Sequence, residues 1–105
     1  MFPKGGMGGI YKKAQEMQKK MAEAQSEINS MKVEGYSGGG MVKTSVSGEK
    51  KILSLSLNPE ILKEDKEMIE DLVLVAINQA LEKVDVVSKE KMGSLTGGMN
   101  IPGLF

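Results

Sequence analysis

The sequence predicts an α+β chain with a long N-terminal helix, a three-stranded antiparallel sheet and a long C-terminal helix. Three observations predict it. Apolar residues recur at steps of three and four through residues 10–31, switch to strict alternation between 42 and 57, and return to helical spacing from 58 to 92. A period near 3.6 marks a helix with one apolar face, and a period of two marks a half-buried strand. Both helical stretches are long for one domain of 105 residues, so their outer parts are expected to project from the body.

Residues 1–9 are glycine-rich and read as a flexible arm. Their GGMGG is not a phosphate loop, because no Gly-Lys-Ser/Thr follows it. The first helix is expected from Ile10. Ile10, Ala14, Met17, Met21, Ala24, Ile28 and Met31 form a heptad seam with no Gly or Pro inside it. Methionine packs adaptably and fixes register poorly, so this seam calls for a second helix beside it. Lys12-Lys13 and Lys19-Lys20 lie one heptad apart on one flank. Glu16 and Glu23 are expected elsewhere around the helix, so that charge is sorted by face. The alternative is an ordinary solvated surface with pairs such as Glu16–Lys20.

Val42, Thr44 and Val46 alternate with Lys43 and Ser45, and Leu53, Leu55 and Leu57 with Ser54 and Ser56. These are two strands, with a hairpin turn at Ser47-Gly48-Glu49-Lys50 whose glycine takes the awkward dihedral. Residues 32–36 read as a third strand, joined to the others through the flexible loop 37–40. One helix covers one face of such a sheet. The other face or an edge is left for a second protein surface, which points to a homodimer.

Asn58 before Pro59 reads as a helix start, and Asp65 as a second one, so a short turn and a bend are expected there. From Ile69 the apolar stripe runs through Leu72, Val73, Ala76, Ala80, Val84 and Val87. Residues 72–77 are apolar without a break and should be covered on most sides. Leu72, Val73, Val75, Ala76 and Ile77, with Leu53 and Leu55 on the sheet, are the candidate core and dimer contacts. Beyond Glu82 the stripe narrows to Val84 and Val87. These are expected to meet Met17, Met21, Ala24 and Ile28 along the seam of a projecting arm. Gly93 is expected to end the helix, leaving 93–105 as a glycine-rich tail. One domain, 10–92, is thus framed by two flexible ends.

Composition narrows the chemistry. Cys and His are both absent, so disulfides, thiol chemistry, the usual zinc sites and the common nucleophile–base pairs are unavailable. No cofactor, metal or small-molecule substrate is expected, and no enzyme. The start, MFPKGGMGG, lacks the apolar core of a secretory leader, and no apolar run approaches membrane-spanning length. A cytoplasmic protein is the expectation. Fourteen lysines balance fourteen acids, and arginine is absent, so the total charge gives no hint of a nucleic-acid partner. Any such case rests on how the lysines are distributed. Lysines act as point charges on phosphates rather than as forks on guanine.

Taken together, several stretches resemble the YbaB/EbfC family of bacterial nucleoid-associated proteins. They are the start MFPKGGMGG, the QEMQKKM at 15–21, the three glycines 38–40 before Met41-Val42-Lys43, and LSLNPEIL. The clearest are EDKEMIEDLVLVAINQA and the closing KEKMGSLTGGMNIPGLF. The resemblance implies helices projecting as arms from a tweezer-like homodimer. It also implies binding of double-stranded DNA with little or no sequence preference through the terminal helices. Carried onto this chain, those helices hold Lys12, Lys13, Lys19 and Lys20 and, near the far end, Lys89 and Lys91. The competing reading is an adaptor dimer whose helical arms grip a protein.

Overall fold

The computed structural model describes residues 4–96, with side chains from 9 to 95. Helix α1 is Lys4–Ser30. Strands β1 (Lys32–Ser37), β2 (Val42–Ser47) and β3 (Ile52–Leu57) follow, then a 3-10 turn, Pro59–Lys63, and helix α2, Lys66–Thr96. The expected α+β order is present. The three residues before Lys4 and the tail from 97 onward lie outside the described residues.

Two boundaries differ from expectation. α1 begins at Lys4, so residues 4–9 belong to the helix and not to a flexible arm. α2 runs through Gly93 to Thr96. Gly93 does not stop it: the helix continues for three residues beyond, where Leu95 is half-buried.

The sheet is antiparallel in the order β1-β2-β3. Val42 and Thr44 pair with Leu57 and Leu55, and a bulge between Ser45 and Val46 brings Val46 opposite Ile52. Because side chains alternate across a strand, one face carries Val42, Thr44 and Val46, all fully buried. α2 lies across that face, over β1 and β2. The core beneath it has two parts. Val42, Ile61 and Ala76 close one end with Leu72 and Val73, and Val46, Ala80 and Val84 close the other with Met31 and Leu81.

The approach is close because β1 carries Gly35. A methyl group there would sit 2.1 Å from the Ala76 carbonyl oxygen. Glycine inside a strand marks such an approach of two backbones.

The start of α2 is built as the sequence indicates. The Asn58 side chain accepts from the Glu60 N–H at 2.9 Å, and after the bend the Asp65 carboxylate accepts from the Met68 N–H at 3.0 Å. Between these caps Ile61 plugs the core. The hairpin turn is built differently. Its positive φ falls on Lys50, at 65°, and not on Gly48. Gly48 is needed for room, since a methyl group there would meet the Ile28 carbonyl oxygen at 1.5 Å. Its N–H donates to the Met31 carbonyl at 3.1 Å, which ties the hairpin to the end of α1.

The expectation for residues 72–77 holds in part. Ala76 is buried and Leu72, Val73 and Ile77 are half-buried, but Val75 is 54% exposed. Leu53 and Leu55 are likewise exposed, at 51% and 47%, so neither belongs to the core of the single chain. The reason is the placement of α2: it sits over β1 and β2, and β3 lies beyond its reach except at Leu57. The far face of the sheet carries Glu34, Tyr36, Lys43, Ser54 and Ser56 and is polar. The uncovered apolar surface is therefore at the β3 edge and on the outer side of α2. The molecule is drawn out to 76 × 24 × 16 Å, with a radius of gyration of 20.8 Å against about 13 Å for a compact chain of this length.

Candidate nucleic-acid interface

The length comes from the helices. α1 runs back antiparallel beside the outer part of α2, and the two touch only near the base of the arm. There Ala24 and Ile28 are buried on α1; on α2 Val84 is buried in the core with Val46 and Ala80, and Val87 is half-buried beside Val33 of β1. Farther out the seam opens: Met17 is half-buried, Met21 and Ala14 are exposed, and Ile10 is 66% exposed. Ala24 and Ile28 mark the buried end of the α1 seam, and outward of them the α1 side chains are mostly exposed among the described residues.

Lys91 fastens the closed part. Its ammonium donates to the Glu27 carboxylate at 2.8 Å, bridging the two helices. That hydrogen bond, and then the charge behind it, holds the Glu27 carboxyl below the usual carboxylate range. Lys91 is thus committed within the arm, unlike the other sequence-derived candidates. Lys12, Lys13, Lys19 and Lys20 are all exposed, and none has an ion pair among the described residues; the same is true of Lys89. The Glu16–Lys20 pair is not formed, and the exposure of these lysines is equally that of an ordinary solvated surface.

The expected sorting of charge by face is not what the helix gives. Glu16 follows Lys12 by four residues and Glu23 follows Lys19 by four, and a step of four on an α-helix returns to nearly the same side. At about 100° per residue the order around the rod is Lys12 and Lys19, then Glu16 and Glu23, then Lys13 and Lys20, then the apolar seam. The lysine flank has carboxylates along its middle.

Sequence reasoning also missed how the sheet is bounded. Gln79 and Lys83, one turn apart on α2, reach the outer edge of β1. The Tyr36 N–H donates to the Gln79 Oε1 at 2.8 Å, and the Lys83 ammonium donates to the Glu34 carbonyl at 2.7 Å while lying 5.8 Å from the Tyr36 ring centre. Side chains that satisfy an edge strand's free groups block further pairing there. On the polar face the Tyr36 hydroxyl donates to the Glu34 carboxylate, and Lys43 pairs with it at 3.3 Å. Tyr36 first, and Lys43 after it, hold that carboxyl below its usual range. Among the described residues β1 has its outer edge capped by Gln79 and Lys83, and β3 is the edge left open. No helix among the described residues is long and apolar enough to cross a membrane.

Comparison with known proteins bears on the family and the fold. The sequence model of the YbaB/EbfC DNA-binding family matches residues 4–99. The crystal structure of the uncharacterized protein HP0035 from Helicobacter pylori is similar in fold, with a TM-score of 0.65 and 24% identity, over 94% of this chain and 98% of that one.

Proposed function

This chain belongs to the YbaB/EbfC DNA-binding family, and on that premise we propose that it binds double-stranded DNA as a homodimer, with little sequence preference, through lysines on its projecting arms. The observation that carries the reading is the state of Lys12, Lys13, Lys19 and Lys20: four exposed ammonium groups without an ion pair among the described residues, on the projecting part of α1. Lys89 adds a fifth, and Lys91 serves the arm instead of the ligand. A family that binds DNA also points away from catalysis and toward the nucleoid, in the cytoplasm.

The mechanism is neutralisation of phosphates with release of counterions. A dimer that places about four lysines on phosphates gives a slope of log K against log salt near −4. Such binding is weak for one dimer, and many copies coating the duplex make the working state. The absence of arginine suits this, since lysine neutralises a phosphate without the fork that reads guanine.

Changing Lys12, Lys13, Lys19 and Lys20 together to Glu is expected to abolish gel retardation of mixed-sequence duplex at low salt, with helix content unchanged. Retardation that survives in this variant refutes the assignment of the lysines. One observation favours a second reading. The open seam at Ile10, Met17 and Met21 is apolar, and an adaptor dimer would use it to hold a protein helix. Binding to random duplex that falls steeply with salt separates the two in favour of DNA.

A further inference from the structure

The free part of α1 has a third side, distinct from both its lysine flank and its seam. Tyr11, Gln15, Gln18, Ala22 and Gln25 follow at steps of four and three, so they share one uncharged stripe. All five are exposed. The Gln25 amide donates to Asn29 at 2.8 Å, whereas Gln15 and Gln18 make no hydrogen bond among the described residues. Around the rod this stripe borders Lys12 and Lys19, with Glu16 and Glu23 beyond them.

We infer that this stripe faces the floor of the DNA major groove, where Gln15 and Gln18 bond adenine edges and bias the protein toward A·T-rich duplex. The inference rests on the DNA reading above and adds an orientation and a base preference to it. A helix about 10–12 Å across fits a groove about 12 Å wide. A carboxamide presents one acceptor and one donor in a plane, which match the N6 donor and N7 acceptor of adenine. Guanine shows two acceptors at the same edge, so one of the two bonds is lost. In this pose Lys12 and Lys19 reach the phosphates of one groove wall, about four contacts per dimer. That narrows the set of four lysines to these two in each chain, since Lys13 and Lys20 lie nearly opposite the stripe. Glu16 and Glu23 turn away from those phosphates, and Lys13 and Lys20 turn toward the seam. The pose thereby gives the carboxylates within the lysine flank a place where they do not oppose binding.

The test uses the full chain in competition between A·T-rich and G·C-rich duplexes of equal length. The expected bias is at least about fivefold toward A·T, small beside the roughly thousandfold or greater margin of a sequence-specific binder. Gln15→Ala with Gln18→Ala should remove the bias and leave the salt slope unchanged, because an amide displaces no counterion. Replacing adenine by 7-deazaadenine, which lacks the N7 acceptor, should remove it for the unaltered protein. Equal affinity for the two duplexes overturns the inference while leaving the DNA reading in place. A bias that survives either change also overturns it, since groove shape would then be its source. Failure to retard either duplex defeats the DNA reading itself.

Discussion

A methyl group on Gly48 would occupy the space of the Ile28 carbonyl oxygen, at 1.5 Å. The neighbour is backbone at the last turn of α1 and cannot swing aside. The whole arm is anchored here, since the Gly48 N–H also holds the Met31 carbonyl. Gly48→Ala is therefore expected to cost about 3 kcal/mol of stability, read as a lower denaturant midpoint. Gly39→Ala has open space around the added carbon and only its φ of 67° to strain, so it should cost less, about 1 kcal/mol. Equal losses at the two positions would show that backbone conformation, and not room, is what Gly48 supplies. The Glu27–Lys91 bridge makes a second residue-scale prediction. The Glu27 carboxyl is held below its usual value of 4.5 in the folded chain, so its contribution is complete above that value and is lost as pH falls through the depressed one. Glu27→Gln should melt slightly below the unaltered protein at neutral pH, and the gap should close in acid. A gap that is constant with pH would mean the bridge contributes nothing through charge.

The elements show how much the sequence discloses and where it stops. Caps are local, and both starts flanking the bend before α2 were readable from Asn58, Pro59 and Asp65 because each acts within three residues of itself. The three strands were readable for the same reason, from alternation alone. The ends of the helices were not. Gly93 is an ordinary stop signal, and α2 nonetheless runs through it to Thr96. The commitment of Lys91 to Glu27 spans sixty-four positions and has no local mark. Gly35 did carry a sign, a glycine within a strand pattern, but what it approaches is fixed only once α2 lies on the sheet. The lysine flank is the instructive case at the candidate interface. Its four members were legible as a repeat, and the intrusion of Glu16 and Glu23 was equally legible, since a step of four returns to the same side of a helix. The seam was legible as a pattern too. Its closure only at Ala24 and Ile28 was not, because that depends on where α2 ends relative to α1.

For the molecule as a whole, the question is what covers β3. One edge of the sheet is closed by the chain itself through Gln79 and Lys83, and the far face is polar, so neither calls for a partner. β3 has neither protection: Ile52, Leu53 and Leu55 are about half exposed on an open edge, and Leu74 and Val75 are exposed on α2. A long apolar edge left bare invites aggregation, and in the proposed dimer a two-fold copy of the chain would bury it by meeting its own equivalent patch. Such a dimer would also place two arms on one body, and two weak grips on the same duplex would bind far more tightly than one because the second is held at high local concentration. Light scattering at micromolar concentration is expected to give two chains per particle. Leu53→Lys with Leu55→Lys should give one chain per particle with unchanged helix content, since both side chains are outside the core of the single chain. The same variant should weaken DNA retardation by about tenfold or more although every lysine of the arms is intact. A single chain per particle in the unaltered protein, or a double variant that stays paired, would place the covering surface somewhere other than β3.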